Sequence, residues 1–306
     1  MSSFQRLALW TTAITYVLIL VGGLVRASGA GLGCPDWPRC FGGWVPPMSA
    51  ADLPPQFDAS QFNATLMWTE YLNRLLGMAV GFFILATVVS AWRHHRREPR
   101  ILWTSIAALL LTGFQGWLGG RVVAHELAAW IVTIHLIVAL VIVQMLLYVT
   151  VRSMDVRRAT APAIAGSAGA KAPALRTCVL VLIVITLIQI ALGTQVRGGV
   201  DAALAAGTVR DAALAAVGTL DYLHRNAAVL VLLGAILITA WLTAKRHPPL
   251  IYWSYAVLAL AAFQVAIGVV MAYVSLLPAA QVLHLTIASL LLGAETVLFL
   301  LSGSQP

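Results

Sequence analysis

Charged side chains are scarce in this sequence. They make up 10% of its 306 residues, where a soluble domain carries about a quarter. Hydrophobic residues reach 60%, and the mean hydropathy is +0.90. A water-soluble globular domain is excluded on that count. Acidic residues number 11 against 19 Lys and Arg, and such a basic excess invites a nucleic-acid reading. Its placement argues otherwise. Twelve of the 19 basic residues fall at Arg6, in the Arg93–Arg100 turn, in the Arg152–Arg176 linker and at Lys245-Arg246. Those places share one side of a membrane if eight spans are present, and the positive-inside rule makes that side cytoplasmic, with both termini facing in. The basic balance is a topology signal, and nucleic acid is not a partner.

Cysteine is nearly absent, with three residues. Cys178 reads as a small apolar residue at the inner end of a helix. Cys34 and Cys40 fall in the first outer loop, where an oxidising environment permits a disulfide. Unbroken apolar runs, in contrast, are plentiful. Runs of 18 or more residues are long enough to cross the hydrocarbon core as helices. Eight are present: Leu7–Val25, Thr69–Trp92, Ile101–Gly120, Leu127–Val149, Thr177–Val196, Leu220–Thr243, Leu250–Val274 and Val282–Leu301. The first begins almost at Met1 and lacks a small-residue cleavage site, so it reads as a retained helix and not a removed signal peptide. The fold class is all-α integral membrane.

The runs repeat. Glu70-Tyr71-Leu72-Asn73-Arg74 opens the second, and Asp221-Tyr222-Leu223-His224-Arg225 opens the sixth, at an offset of 151 residues. Phe114-Gln115 with Gly119 matches Phe263-Gln264 with Gly268, and His135 matches His284, both at an offset of 149. Val25-Arg26 matches Val196-Arg197 at 171, because the first outer loop is longer than its counterpart. An even number of helices per unit makes this a parallel repeat, unlike the inverted repeats of many transporters. Residues 1–150 form an N-terminal four-helix half, 151–176 a flexible cytoplasmic linker, and 177–306 a C-terminal four-helix half.

Ionisable residues inside membrane helices are functional candidates by default. Glu70, His135, Asp221, His224 and His284 qualify, and Asn73 stands where a fourth histidine would complete the symmetry. All four repeat-matched positions fall in the outer third of the bundle, with residue 73 about one turn into its helix. Two histidines facing each other across a four-helix bundle can clamp a haem, and His224 with His284 suit that role. Interhelical hydrogen bonding is the competing account. Arg26, Arg74, Arg121, Arg197 and Arg225 gather at outer helix ends, against the positive-inside trend. They suit haem propionates, acid partners or snorkelling to headgroups. Glu70 shares a helix face with Asn73 and can take or give protons; a salt bridge to Arg74 or Arg121 is its alternative role. Glu295 has no evident partner. His94, His95 and His247 read as turn residues, and His125-Glu126 as surface. Gly116, Gly119 and Gly120 read as packing positions. The outer loop, running to about Met67, is too long for a mere connector and is either a lid or a partner surface.

These features together resemble the haem A synthase family. The residues that carry the resemblance are Val25-Arg26, Ser28-Gly29-Ala30-Gly31-Leu32 leading into Cys34-Pro35-Asp36-Trp37-Pro38-Arg39-Cys40, Glu70 with Asn73-Arg74, His135, His224-Arg225 and His284. The resemblance implies an enzyme of a bacterial plasma membrane that oxidises the C8 methyl of haem O to a formyl by successive hydroxylations. It implies haem b as cofactor on His224 and His284 with Arg225 beside them, and the substrate haem in the N-terminal half at His135, Asn73 and Arg74. Glu70 matches the family's catalytic glutamate, and Cys34 with Cys40 a redox-supporting pair. One departure is plain: the family has Glu-xx-His-Arg, and here the histidine position is Asn73. An amide is a poor iron ligand. Either His135 alone holds the substrate haem, leaving an open coordination site, or this half has lost the reaction; retention of Glu70, Arg74 and His135 favours activity. A haem O synthase and an electron donor or acceptor are implied partners, and a homo-oligomer stays open. The rival readings are a b-type haem electron carrier, which has no need of Glu70, and a non-catalytic haem-binding assembly factor for an oxidase.

Overall fold

The computed structural model describes residues 1–154, 172–245 and 248–303. Among them are eight helices long and apolar enough to cross a membrane. They are α1 (Ser3–Ala27), α2 (Ala64–His94), α3 (Pro99–Ala124), α4 (Ala129–Ser153), α5 (Ala172–Ala205), α6 (Thr219–Lys245), α7 (Pro248–Tyr273) and α8 (Pro278–Ser302). No β-strand occurs among the described residues; the one ladder contact is an isolated bridge between Cys40 and Gly43. Large side chains such as Leu20, Phe82, Leu85, Leu110, Ile188, Val229 and Leu237 are exposed along the helices. In water such a surface would aggregate, whereas in lipid it is the expected outer face. The protein is a multi-pass membrane protein.

Local signals set the helix starts. Ser2 and Gln5 form a reciprocal capping box on α1, Asn63 accepts from the Leu66 N–H at the start of α2, and prolines occupy the first turn of α3 and α8, where a missing N–H is harmless. The helices outrun the apolar runs that announce them. The 34 residues of α5 reach about 51 Å at 1.5 Å per residue, well beyond a ~30 Å hydrocarbon core. Its last turns carry Arg197 and Asp201 clear of the apolar region. Helix α2 starts five residues before the run at Thr69, so Asn73 lies nine residues into it, about two and a half turns and not one. Helix α4 starts at Ala129 and not Leu127, since Glu126 and Leu127 have positive φ (51° and 61°), which no helix accommodates. Helices α4 and α5 also extend into the linker span, and Arg176 lies within α5 with its guanidinium 4.6 Å from the Phe299 ring centre. The middle of that linker, and His247 with Arg246, lie outside the described residues.

Helices α1 to α4 pack on one another, as do α5 to α8; α1 and α4 meet α8, and α4 meets α5. The most enclosed helix is α8, which buries eleven residues including Ala288, Ser289, Gly293, Ala294 and Ser302. Small side chains let backbones approach, which substitutes in lipid for the missing hydrophobic drive. Hydroxyl pairs cross the same contacts: Thr11 with Thr87 and Thr12 with Thr150, each at 3.0 Å, and Thr133 with Thr194 at 2.6 Å. At about 0.6 kcal/mol each, such bonds select helix register more than they supply stability.

Between α1 and α2 the long loop folds back onto the N-terminal end of α2. Cys34 and Cys40 are joined by a disulfide. With Phe41 and Met67 they make a small buried core, walled by Leu53, Phe57, Phe62, Trp68 and Tyr71. Asp36 closes the turn by accepting the N–H groups of Phe41 (2.6 Å) and Gly42 (2.9 Å), and the Tyr71 hydroxyl donates to the Trp44 carbonyl at 2.7 Å.

Candidate functional site

Two places in the bundle bring polar residues of facing helices together. In the second half, α6 presents His224 and α8 presents His284. Their ring centres are 6.3 Å apart with planes inclined at 64°. Two imidazoles bound on opposite sides of one metal ion, at ~2.1 Å each and with about 1.1 Å from nitrogen to ring centre, stand about 6.4 Å apart. The spacing therefore fits a shared metal centre, as in a haem held by two axial histidines. Nδ1 of each ring is buried and makes no hydrogen bond of normal geometry, with only loose backbone contacts to Gln189 for His224 and to Gln264 for His284. Helix α5 makes room for the first ring, because a Cβ at Gly193 would stand 2.9 Å from Cε1 of His224. Among the described residues no group of three or more His, Cys, Asp or Glu side chains could hold a metal ion.

In the first half, His135 occupies the seventh position of α4, as His284 does of α8. A Cβ at Gly119 would lie 3.5 Å from Cε1 of His135, and one at Gly268 would lie 3.5 Å from Cε1 of His284. Gln115 donates to the His135 carbonyl at 2.8 Å. Nδ1 of His135 and Oδ1 of Asn73 are both buried and unpaired. The loop covers this end: Trp37 lies so close over Gly120 that a Cβ there would come within 2.8 Å of its indole. Of the three glycines read as packing positions, Gly119 and Gly120 act so; Gly116 has no neighbour within 4 Å.

Glu70 is 4% exposed. One carboxylate oxygen accepts the Cys34 N–H at 2.8 Å, and the other accepts from Arg74, whose Nε is 3.1 Å away and whose Nη2 is closer still. Arg74 also donates to the carbonyls of Asp36 and Arg39, both at 2.8 Å, and of Cys34 at 3.3 Å. That uses all five N–H donors of a guanidinium. Arg74 therefore ties Glu70 to the disulfide loop and has no donor left for a propionate. Sequence reasoning missed this because the loop contacts are visible only once the chain has folded back.

Arg225, Arg26, Arg197 and Arg121 also have partners. Arg225 pairs with Asp221 at 2.6 Å and donates to the Tyr273 hydroxyl at 3.1 Å, so acid pairing at i,i+4 occurs in both halves. Arg26 and Arg197 share Asp201, which joins α1 to α5 between the halves. Arg121 lies 2.9 Å from Nε2 of His125 on the surface. Glu295 does have a partner: fully buried, it accepts from the Thr186 hydroxyl at 2.8 Å, with its second oxygen unpaired. Cys178 is free and exposed.

The comparisons with known proteins agree with this pattern. The COX15-CtaA family model, described as a cytochrome oxidase assembly protein, matches residues 5–296. Similar curated proteins include a Heme A synthase of Geobacillus kaustophilus, 32% identical over 163 residues (53% of this chain, 47% of the relative). A Heme A synthase of Allorhizobium ampelinum is 27% identical over 228 residues, 67% of this chain and 60% of the relative. One of Bradyrhizobium diazoefficiens is 30% identical over 210 residues, 61% and 54% respectively. The matches thus span about half the length of these relatives.

Proposed function

The chain belongs to the COX15-CtaA family, and on that premise we propose that it is a haem A synthase of a bacterial plasma membrane, oxidising the C8 methyl of haem O to a formyl. The observation that carries this reading is the contrast between the two sites. His224 and His284 face each other at 6.3 Å, the closed arrangement suited to holding a group that only exchanges electrons. The first half has a single histidine, His135, and an asparagine, Asn73, at the position matching His224, with the buried carboxylate of Glu70 one turn earlier on α2. Chemistry at a methyl group needs such access and a nearby proton acceptor; a plain electron carrier needs neither.

In this reading His224 and His284 would hold haem b, with Arg225, fixed by Asp221 and Tyr273, next to His224 on α6. Bound haem b supplies one-electron transfer. His135 orients the substrate haem O, and Gln115 fixes the turn of α4 that carries His135. Glu70 is the buried carboxylate placed to take or give protons during the chemistry at the methyl. Arg74 keeps the carboxylate in place, and Trp37 covers that end of the half. The basic residues gathered at Arg6, Arg93–Arg100 and Lys245-Arg246 support cytoplasmic termini, which turns both sites toward the outer side. A haem O synthase supplies the substrate, and a separate redox partner completes the electron balance.

The test is co-expression with a haem O synthase, followed by haem extraction, chromatography and mass spectrometry. Haem A or its hydroxylated precursor alongside haem b supports the enzyme. Haem b alone, with haem O present in the membranes, refutes it in favour of a carrier or assembly factor.

A further inference from the structure

The two halves differ at one repeat-matched place. In the second, the His224 ring sits against Gly193, whose added Cβ would meet it at 2.9 Å. Gly22 is the counterpart of Gly193 at the offset of 171 that relates Arg26 to Arg197. A Cβ on Gly22 meets nothing within 4 Å. The repeat match of His224 on α2 is Asn73, whose Oδ1 is buried without a partner. The first half therefore keeps the small helix position that accommodates an imidazole while presenting a shorter, neutral amide. A carboxamide is a hard oxygen donor that suits Mg²⁺ or Ca²⁺, whereas iron in such sites takes imidazole.

We infer that a haem in the first half takes one protein ligand, His135, and that the room beside Gly22 and Asn73 admits a small neutral ligand of diatomic size to its other face. By the repeat, Asn73 is the α2 side chain that would face that ligand. This rests on the haem assignment above, and it adds a ligand-binding site confined to one half. The second half, closed by two histidines, admits no such ligand.

Carbon monoxide is the probe, added to the dithionite-reduced, haem-loaded full-length protein in detergent. The expected result is a CO difference spectrum from the first-half haem alone, identified as the haem lost in His135→Ala. Asn73→His keeps the haem and lowers the CO response at least tenfold, and His224→Asn makes the second half CO-reactive. Asn73→Ala adds no ligand and keeps CO binding, with a shifted C–O stretching frequency because the amide dipole is gone. The inference is overturned if parent protein whose haem depends on His135 does not respond to CO. It is equally overturned if Asn73→His binds CO like the parent, or if the stretch is unmoved in Asn73→Ala. If His135→Ala loses no haem, the haem assignment itself falls and the inference with it.

Discussion

Replacing Glu70 by alanine removes the acceptor that holds the disulfide loop to α2. The carboxylate takes the Cys34 N–H at 2.8 Å and pairs with Arg74. Deleting one member of a buried ion pair costs about 3–5 kcal/mol, because the other charge is left uncompensated. Arg74 keeps its bonds to three loop carbonyls, and its side chain is 15% exposed, so the lower end, about 3 kcal/mol, applies. At 1.4 kcal/mol per factor of ten, the loop then opens roughly 100-fold more often. Hydrogen–deuterium exchange of the detergent-solubilised protein, read on peptides covering the Cys34–Cys40 loop, measures this directly. Glu70→Gln retains an acceptor for Cys34 and loses only the charge, so its exchange rises by about tenfold. A rate in Glu70→Ala within threefold of the parent would show that the carboxylate does not hold the loop. The pair of variants also separates two duties of one residue. If Glu70 handles a proton, the Gln variant loses haem oxidation while its loop stays largely protected.

Three further outcomes follow from the packing. Gly193→Ala pushes a methyl into the His224 ring and shifts the visible spectrum of the haem proposed to bind there, while Gly22→Ala, in open space, leaves spectrum and haem content unchanged and gains up to about 1 kcal/mol of helix propensity. Asp201→Asn releases Arg26 and Arg197 at the contact between halves; with all three side chains 24–30% exposed, the loss is about 1 kcal/mol, read as a small drop in thermal midpoint in detergent. Thr186→Val strips Glu295 of its donor and destabilises by about 1–3 kcal/mol. Adding Glu295→Leu, the residue type found at repeat-matched Leu146, recovers most of that in the same melting assay.

Much of the fold was legible because lipid imposes one pattern. Each spanning segment must satisfy its own backbone, so eight apolar runs announce eight helices. The helix ends were less so. Apolarity says where lipid stops, not where the backbone leaves the helix, so α5 continues past Val196 to Ala205 and α2 begins before Thr69. Leu127 extends an apolar run yet has φ of 61°, a conformation that hydropathy does not register. The match of His135 to His284 was readable from spacing, since both are seventh in their helices; the depth of Asn73 was not, because α2 starts nine residues before it while α6 starts five before His224. Partners across helices were not. Glu295 meets Thr186 across α5 and α8, and Arg74 meets carbonyls in a loop some 35 residues earlier; both depend on neighbours that linear spacing does not specify.

The central claim is that each half holds its own haem. Haem extraction from His135→Ala and from His284→Ala, co-expressed with a haem O synthase, tests it most directly. The account predicts that His284→Ala loses haem b and that His135→Ala loses haem O and its oxidised products but keeps haem b. Equal loss of both haems in each variant, or no loss in either, would contradict it.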